Sequence, residues 1–429
     1  MKVLVVGSGA REHALAWKLK QPPSAVDIIA APGNAGTALL GRNVALGVTA
    51  ANELAQLAVK ELVDLAVIGP EAALAAGVAD ALRRSGIATF GPDRAGARLE
   101  TSKAFAKQFM RRYGIPTAAA REAHDLKQAQ RALALFPNGA VLKADGLAAG
   151  KGVVVCAETA VAETVLRDWY AERNLPGGGS TIVIEEPLQG REVSVMALVD
   201  GKGYRILAAA CDYKRAQDGD SGPNTGGMGA YSPAADVLDE MALADIAKQI
   251  YEPAMEGLRR EGIDYRGCLY AGLMLTQRGP SVLEFNARFG DPETQVVMPR
   301  LADDLGELLS AAATGRLDAV STPRFSPDAC VGVVLASPSY PQRSEPVAGL
   351  PIVPLPDGAI AFWGGSALAR GTVDAAGGRV ATICALGADI ASARLRAYEG
   401  VRSYVAGLRP EQALRYRSDI GERAAVPVR

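Results

Sequence analysis

Residues 141–156 read Val-Leu-Lys-Ala-Asp-Gly-Leu-Ala-Ala-Gly-Lys-Gly-Val-Val-Val-Cys. Apolar residues at both ends enclose a polar, glycine-rich centre, which predicts a strand, a flexible flap and a second strand. The residues suited to an anion are Lys143, Gly146, Gly150, Lys151 and Gly152. Glycines let the backbone approach a ligand closely, and lysines supply compact positive charge. The stretch therefore predicts a flap that closes over phosphates, with an exposed glycine-rich hairpin as the alternative.

The composition is that of a globular protein with substantial cores. The chain has 429 residues, 49% of them hydrophobic, and a formal net charge of -1. Such a length predicts roughly two to four domains, and the near-zero charge gives no reason to expect a nucleic acid partner. No apolar run is long enough to span a membrane, and the first residues run directly into a strand. We therefore expect no membrane partner and no targeting signal.

The cysteines and histidines restrict the chemistry. Five isolated cysteines, an odd number, indicate inert thiols in a reducing cytoplasm. Only two histidines are present, His13 and His124, which argues against a zinc site and against a Ser/His or Cys/His nucleophilic centre. The chemistry is therefore expected to rely on carboxylates, lysines, arginines and a hard metal ion.

Residues 2–92 alternate apolar segments with amphipathic ones, which predicts an open parallel sheet of the doubly wound type. The first turn begins like a dinucleotide fingerprint at Gly7 and Gly9, but Glu12 stands where the third glycine belongs. NAD or FAD is therefore not expected, whereas the helix that starts behind Gly9 can hold a smaller phosphate. Loops at 32–37 and 69–71 follow two further strands, at the edge where such sheets bind ligands, although ordinary turn formation is the alternative.

The segment 281–293 carries a second set of chemical residues. Glu284 and Asn286 are two positions apart on a predicted strand and so share one face, where their oxygens suit Mg²⁺. Arg288 is the third member of that face and is suited to a carboxylate or phosphate. Ordinary ion pairs on a polar strand face are the alternative. The long polar segment 205–231 has no periodicity and is predicted to be an ordered functional loop.

Three stretches together resemble the phosphoribosylamine-glycine ligase family of the ATP-grasp superfamily. They are 141–155, 284–293 and the run Gly-Pro-Asn-Thr-Gly-Gly-Met-Gly-Ala-Tyr-Ser-Pro at 222–233. The N-terminal runs Gly-x-Gly-x-Arg-Glu-His and Ala-Pro-Gly-Asn-Ala-Gly-Thr match the same family. The resemblance extends from Lys2 to about Gly421.

The resemblance implies a multidomain fold of α/β and α+β units. A pre-ATP-grasp parallel-sheet domain is expected at 1–98, an ATP-grasp domain at 99–325 and a small C-terminal α+β domain at 326–429. A mobile lid subdomain is expected at about 117–188. The implied enzyme is a cytoplasmic monomer.

The implied reaction joins glycine to 5-phosphoribosylamine in de novo purine biosynthesis, with ATP cleaved to ADP and phosphate. The glycine carboxylate would attack the γ-phosphate to give a glycyl phosphate, which the ribosylamine nitrogen then displaces. The implied cofactors are ATP and Mg²⁺ or Mn²⁺. No enzyme nucleophile is needed, in agreement with the scarcity of histidine.

The matched motifs also imply residue roles. The ATP contacts would be Lys103, Lys143, Gly146, Gly150, Lys151 and Gly152 at the phosphates, the linker residues Glu185, Glu186 and Leu188 at the adenine, and Glu192 at the ribose. The metal ligands would be Glu284 and Asn286. The catalytic residues would be Arg288, Asp212 and Lys214. The acceptor contacts would be Gly9, Asn34, Glu71, Asn224, Thr225 and Asp291.

The chain departs from the family pattern at three places. Tyr213 stands where the family generally has His, Arg191 where it often has a second Glu, and Trp363-Gly364-Gly365-Ser366 where a His-Ala-Gly-Thr run is usual. These changes concern substrate contacts more than the class of reaction, because the phosphate and metal motifs are unbroken.

Other classes of protein remain as alternatives. A biotin-dependent carboxylase subunit or a later purine-pathway ligase would usually carry another acidic metal ligand on the preceding strand, which here reads Leu273-Met274-Leu275. A catalytically silent nucleotide-binding protein would be expected to lose Lys143, Glu284 or Asn286, and all three are present. A dehydrogenase would need the fingerprint that Glu12 interrupts.

Overall fold

The computed structural model describes residues 1–23, 26–148, 152–177, 179–356 and 358–425. Gly150 and Lys151, both predicted phosphate contacts, therefore lie outside the described residues. Within the described ranges, no helix combines the length and the hydrophobicity needed to cross a lipid bilayer. All five cysteines are buried and free of disulfides.

The N-terminal region forms the predicted parallel sheet, in the order β3-β2-β1-β4-β5. Its strands are β1 (Lys2–Gly7), β2 (Asp27–Pro32), β3 (Arg42–Asn43), β4 (Leu65–Ile68) and β5 (Ala88–Phe90). Its helices are α1 (Ala10–Leu19), α2 (Ala35–Leu40), α3 (Ala51–Lys60), α4 (Glu71–Ala75) and α5 (Val78–Arg84). The central residues of β1 are fully buried because helices cover both faces of the sheet. The turns that follow β1, β2 and β4 meet at one edge of the sheet.

The helical segment that follows is broken at Ser102. The sequence predicts one helical pattern over 94–113, but the structure has α6 (Arg94–Thr101) and α7 (Lys103–Arg112). Ser102 has extended backbone angles, and its hydroxyl accepts a hydrogen bond from Phe105 N at 3.1 Å. Serine competes with the helix in this way and acts as an N-cap. Lys103 is therefore the first residue of a new helix.

The region predicted as a lid is a separate small unit with its own core. Its sheet has the order β6-β9-β7-β8. Its elements are β6 (Ala120–Ala123), α8 (Leu126–Leu133), β7 (Ala140–Ala144), β8 (Val153–Cys156), α9 (Thr159–Tyr170) and β9 (Ile182–Glu185). A cluster of buried apolar residues lies entirely within this unit. The antiparallel pairing of β7 with β8 confirms the two strands predicted on either side of the flap.

The central antiparallel sheet has the order β11-β10-β16-β17. Its strands are β10 (Arg191–Asp200), β11 (Tyr204–Ile206), β16 (Arg266–Thr276) and β17 (Gly279–Asn286). The segment predicted as a long loop is ordered and contains short strands, namely β12 (Cys211–Asp212), β13 (Arg215–Gln217), β14 (Ser221–Asn224) and β15 (Gly229–Ser232). The single helix predicted over 238–261 is instead α10 (Glu240–Ile246), a π-helical turn (Ala247–Tyr251) and α11 (Glu252–Arg260). Pro253 lies at the start of α11, where its missing N–H is tolerated.

The C-terminal region forms one sheet in the order β12-β15-β18-β23-β20 and a second in the order β19-β22-β21. Its strands are β18 (Ala329–Ala336), β19 (Val347–Pro351), β20 (Ala359–Trp363), β21 (Ser366–Ala369), β22 (Thr372–Ala375) and β23 (Arg379–Gly387). The central region ends with α12 (Glu293–Val297), α13 (Leu305–Ala313) and 3-10 turns at Met298–Arg300 and Leu317–Ala319. The C-terminal region has one helix among its described residues, α14 (Ile390–Ala406), and 3-10 turns at Pro410–Gln412 and Arg423–Ala425. Because β12 and β15 precede residue 325, the C-terminal sheet incorporates part of the central region.

Two N-terminal side chains hold the peptide groups of Trp363. His13 Nδ1 accepts a hydrogen bond from Trp363 N at 2.9 Å, and Asn34 Nδ2 donates to Trp363 O at 2.8 Å. Asn34 also donates to Ser8 O and Gly9 O, while its Oδ1 caps Thr37 N. Asn34 is 1% exposed and joins the N-terminal sheet to the C-terminal region, while its role as an acceptor contact stays a prediction.

This contact predicts a pH-dependent stability. Burial lowers the pKa of His13 to about 3, whereas the unfolded chain protonates histidine near its ordinary pKa of about 6.5. The contribution of neutral, buried His13 to the free energy of unfolding is therefore fully present above about pH 6.5, the pKa in the unfolded chain. It is lost progressively as the pH falls below that value. Acidification from pH 7 to pH 5 is expected to cost about 2 kcal/mol through His13.

His13→Gln keeps an acceptor for Trp363 N but does not titrate. Chemical denaturation at pH 7 and pH 5 should show the parent losing about 2 kcal/mol more than this variant. The matched control is the exposed His124→Gln, which should lose as much as the parent. Equal losses in the parent and His13→Gln would contradict the assignment.

Candidate active site

Two adjoining cavities lie where the N-terminal sheet, the lid, the central sheet and the C-terminal region meet. The central cavity has a volume of about 580 Å³. The adjoining cavity has a volume of about 870 Å³. The predicted site residues that line both are Lys143, Glu185, Asp212, Lys214, Thr225 and Glu284. Those that line the central cavity alone are Gly9, Glu71, Lys103, Gly146, Gly152, Asn286, Arg288 and Asp291, and those in the adjoining cavity alone are Glu186, Leu188, Glu192 and Asn224.

The two residues predicted to bind a metal lie together on β17. Glu284 Oε1 lies 3.5 Å from Asn286 Nδ2, so the two side chains share one side of the strand. Burial alone would raise the pKa of Glu284, but the nearby Lys214, Lys143 and Arg288 hold that pKa below its usual value. Glu284 is therefore an ionised carboxylate beside the amide of Asn286, whose oxygen accepts a hydrogen bond from Arg288 Nη2 at 3.3 Å.

A register shift in the β16–β17 pairing next to this face affects Lys143. Gly272 pairs with Glu284, but Leu273 pairs with Val282, so Leu283 has no partner across the ladder. Its carbonyl instead accepts a hydrogen bond from Lys143 Nζ at 2.8 Å. A bulge of this kind exposes backbone groups beside a site, and here it ties β17 to the lid.

Arg288 reaches the cavity by a different route from the one predicted. β17 ends at Asn286, so strand alternation does not orient Arg288. Its Nη2 lies 2.9 Å from Glu100 Oε1, and its Nε lies 3.5 Å from Glu71 Oε2. Burial opposes the charge, but Glu100 and Glu71 raise the pKa of Arg288 above its ordinary value.

Glu100 was missed by the sequence reasoning. It lies on α6, before Lys103 but outside the recognised motifs, and its Oε2 accepts a hydrogen bond from Ala287 N at 2.8 Å. Burial raises the pKa of Glu100 even though Arg288 lowers it. The carboxylate therefore holds both the backbone beside the metal-binding face and the guanidinium of Arg288.

Lys103 is aimed at the flap by the start of α7. Its Nζ donates to Gly146 O at 3.0 Å. The carboxylate of Asp145 accepts hydrogen bonds from Ala104 N at 3.1 Å and from Ser102 Oγ at 3.2 Å. Gly146 has a φ of 97°, which glycine adopts without strain. Because a new helix begins after Ser102, its first residues contact Asp145 and Gly146, at the start of the flap.

Lys214 is held by the carboxylates of Asp212 and Glu192. Its Nζ lies 2.6 and 2.7 Å from the two oxygens of Asp212 and 3.6 Å from Glu192 Oε2. Burial would lower the pKa of Lys214, but these carboxylates raise it well above its ordinary value. Glu293 lies nearby and accepts a hydrogen bond from Tyr270 at 2.9 Å. Burial and Asp212 raise the pKa of Glu293.

The C-terminal region contributes two cavity residues that no motif indicated. Arg379 Nη1 donates to Gly226 O and Asp291 O, both at 2.7 Å, and Tyr340 Oη accepts a hydrogen bond from Gly226 N at 2.9 Å. Arg379 Nη1 also lies 3.2 Å from Asp291 Oδ1. The backbone N–H and the backbone C=O of Gly226 are therefore both hydrogen-bonded to the C-terminal region. A Cβ at Gly226 would lie 3.0 Å from the Arg379 guanidinium, so glycine allows this close approach without a shift of Arg379.

The departures at Tyr213 and Arg191 have structural partners. The Tyr213 hydroxyl accepts a hydrogen bond from Gly421 N at 2.9 Å, and Arg417 lies over its ring at 4.8 Å. Arg191 donates to Asp236 O at 2.8 Å and pairs with the Asp236 carboxylate. Both residues line the adjoining cavity, but these groups are committed to other parts of the chain.

Comparison with known proteins identifies the family. Three consecutive profiles match, described as the phosphoribosylglycinamide synthetase N domain over residues 1–100, its ATP-grasp (A) domain over 101–294 and its C domain over 330–423. A phosphoribosylamine–glycine ligase of Xanthomonas axonopodis pv. citri is 46% identical over 433 residues, covering 99% of this chain and 98% of that protein. The chain belongs to the phosphoribosylglycinamide synthetase family.

Two further phosphoribosylamine–glycine ligases support the same family assignment. A phosphoribosylamine–glycine ligase of Escherichia coli O6:H1 is 47% identical over 408 residues, with 93% of this chain and 94% of that protein covered. The crystal structure of the Thermotoga maritima phosphoribosylamine–glycine ligase matches with a TM-score of 0.81 at 33% identity, covering 98% of this chain and 100% of that one. The three-part architecture predicted from the motifs is thus confirmed.

A more distant structure shows how widely the fold is shared. The biotin carboxylase domain of Hydrogenobacter thermophilus 2-oxoglutarate carboxylase matches with a TM-score of 0.71, covering 97% of this chain and 90% of that one. Its identity of 15% supports a common fold only. Membership of the phosphoribosylglycinamide synthetase family therefore rests on the family profiles and the full-length relatives. It makes the chain an ATP-grasp ligase.

Proposed function

We propose that the chain joins glycine to 5-phosphoribosylamine through a glycyl phosphate intermediate. The ATP-dependent ligation and its place in purine biosynthesis follow from the family, because full-length relatives are phosphoribosylamine–glycine ligases. The observation that supports the intermediate is the convergence in one cavity of the Glu284–Asn286 face, Arg288 and the phosphate-binding residues Lys103 and Lys143. Such a cavity serves phosphoryl transfer, which depends on positioning and charge neutralisation and not on an enzyme nucleophile.

The ATP side is formed by the lid and the start of α7. Lys103 and Lys143 would neutralise the phosphates, with Gly146 to Gly152 covering them. The linker Glu185 to Leu188 would bind the adenine through its backbone, and Glu192 would take the ribose hydroxyls. Lining of the adjoining cavity by Glu186, Leu188 and Glu192 supports this arrangement.

Glu284 and Asn286 would hold the metal ion, Mg²⁺ or Mn²⁺. An ionised carboxylate and an amide oxygen on one strand face fit a hard cation that completes its shell with phosphate oxygens and water. Among the described residues there is no cluster of three or more His, Cys, Asp or Glu side chains suited to a metal, which is consistent with such a shared shell. When bound, the ion supplies charge neutralisation at the β- and γ-phosphates.

The two chemical steps need few protein groups. In the first, a glycine carboxylate oxygen attacks the γ-phosphorus and ADP leaves, while Arg288 steadies the carboxylate and the acyl phosphate. In the second, the ribosylamine nitrogen attacks the acyl carbon, the carbon–oxygen bond breaks, and phosphate departs with that oxygen as the amine loses a proton. Lys214, held by Asp212, would neutralise charge on the leaving phosphate.

The acceptor would lie between the N-terminal sheet and the loop clamped by Arg379. Gly9, Glu71, Thr225 and Asp291 line that end of the central cavity, and Asn224 lines the adjoining one. We further propose domains at 1–98, 99–325 and 326–429, a cytoplasmic location and a monomer. The profile matches and the five free cysteines support the first two of these proposals.

An isotope experiment tests the intermediate. With glycine labelled with ¹⁸O in its carboxylate, the proposal predicts one ¹⁸O atom in the phosphate released at each turnover. Phosphate without label would contradict the glycyl phosphate but leave the ligation intact. Replacing glycine with bicarbonate is the matched control, and ADP formation supported equally by bicarbonate would contradict the ligation itself.

A further inference from the structure

Lys107, Lys143 and Glu185 form a buried charge cluster at the boundary of the two cavities. Lys107 lies on α7 four residues after Lys103, so both face the same side of the helix. Lys143 and Glu185 lie on the paired strands β7 and β9. Each lysine Nζ is 3.0 Å from Glu185 Oε2, and none of the three side chains is more than 9% exposed.

One carboxylate is thus shared by two ammonium groups. Lys107 also donates to Thr117 Oγ1 at 2.6 Å, and Lys143 also donates to Leu283 O at 2.8 Å. Glu185 Oε1 is buried and has no hydrogen-bond partner. A buried carboxylate must keep at least one cation, because leaving it unpaired is strongly unfavourable. The ammonium group of the second lysine can therefore bind another anion.

The two lysines differ in how they are anchored. The Thr117 hydroxyl accepts a hydrogen bond from Lys107 and donates one to Val282 O at 2.6 Å. Lys107 is therefore linked to the central sheet through Thr117. Lys143 lies on the hairpin that carries the flap and lines both cavities. Lys143 is therefore the lysine positioned to exchange the carboxylate for a ligand.

We propose that Lys107 is a positioning residue for nucleotide binding: it remains paired with Glu185 and so releases Lys143 to the phosphates of ATP. The proposal rests on the phosphate role given above to Lys143. Without Lys107, Glu185 has Lys143 as its sole partner in the cluster, and ATP must break a buried pair to recruit it. Lys107 thus strengthens ATP binding without touching the phosphates.

Burial is consistent with this dependence. It lowers the pKa of Lys107 to about 8, although Glu185 acts in the opposite direction. The carboxylate of Glu185 therefore stabilises the ammonium form of Lys107. Without a carboxylate partner, the charged form of a lysine at this buried position would be disfavoured by desolvation.

ATP binding by the full chain tests the proposal, measured by calorimetry with MgATP in the absence of glycine. Lys107→Met is expected to raise the Kd for ATP about 30-fold, because Lys143 is then held by Glu185. The KM for glycine should not change. Lys107→Arg keeps the counter-ion and should stay within about threefold of the parent.

A double-mutant cycle separates positioning from direct contact. In a Glu185→Gln background, adding Lys107→Met should change the Kd by less than about threefold, because no carboxylate is left to hold Lys143. An equal loss in both backgrounds, or an unchanged Kd in the single variant, would overturn the proposal.

Two controls complete the design. Lys127→Met removes an exposed lysine from α8 of the lid and should leave the Kd unchanged. Thermal unfolding of each variant reports folding. Because the Kd for ATP is measured without turnover, failure of the ligation chemistry would not be mistaken for failure of this proposal.

Discussion

Glu284→Ala is expected to lower glycine-dependent ADP release by at least about a thousandfold, because phosphoryl transfer depends on charge neutralisation at the phosphates. The side chain is the carboxylate of the predicted metal-binding face, and its pKa is held low by Lys214, Lys143 and Arg288. Without it, Asn286 alone would have to hold the ion, and one amide oxygen is a weak ligand set.

The fold should survive this change. Glu284 is only partly buried, and its pairing with Gly272 is made through the backbone of β17. The measurement is ADP formation at saturating glycine, together with the thermal unfolding temperature. Glu399→Ala, an exposed glutamate on α14, is the matched control and should behave as the parent does. Near-normal turnover of Glu284→Ala would remove the metal assignment.

Arg288→Met is expected to cost both activity and stability. Turnover should fall about a thousandfold because the glycine carboxylate and the acyl phosphate lose their guanidinium. Glu100 also loses the cation 2.9 Å from its Oε1, and leaving a buried carboxylate unpaired costs about 3 kcal/mol. Arg402→Met, on the exposed face of α14, should change neither quantity.

The pH dependence of this variant has a defined sign. Burial already raises the pKa of Glu100, and removing Arg288 removes the main influence that lowers it. An acid whose pKa is raised in the folded state binds more protons there, so folding is favoured as the pH falls. The stability gap between Arg288→Met and the parent should therefore narrow from pH 7 to pH 5. A constant gap would contradict the Glu100 assignment.

Arg288→Lys distinguishes charge from geometry. Lysine keeps a cation near Glu100 and Glu71, so part of the stability should return. It cannot reproduce the planar fork that reaches both carboxylates and also donates to Phe289 O. Turnover is therefore expected to stay at least about a hundredfold below the parent. Full activity in this variant would show that charge alone suffices.

The features that were predicted correctly depend on local patterns. Strand β1, the β7–β8 hairpin and the Glu284–Asn286 face each follow from periodicity or from residues a few positions apart. Backbone geometry makes these patterns independent of the rest of the chain. The errors at Ser102 and at the π-helical turn Ala247–Tyr251 are also local, because apolar periodicity continues through a short break in a helix.

Other residues of the site are recognisable only in three dimensions. Glu100, Lys107, Arg379 and Tyr340 belong to no motif that the sequence reasoning recognised, and each gains its role from a partner distant in the sequence. Asn34 belongs to a motif that suggested a ligand contact, and only the fold shows that its amide also donates to three carbonyl oxygens.

The sequence by itself determined the N-terminal parallel sheet, the two strands on either side of the predicted flap and the shared strand face of Glu284 and Asn286, because each depends on the spacing of neighbouring residues. Only the tertiary structure decided which charges pair. Electrostatic interaction and desolvation depend on distances through space and on burial, and neither can be read from spacing along the chain. The partition of two lysines around Glu185 and the binding of Arg288 by Glu100 are therefore properties of the fold.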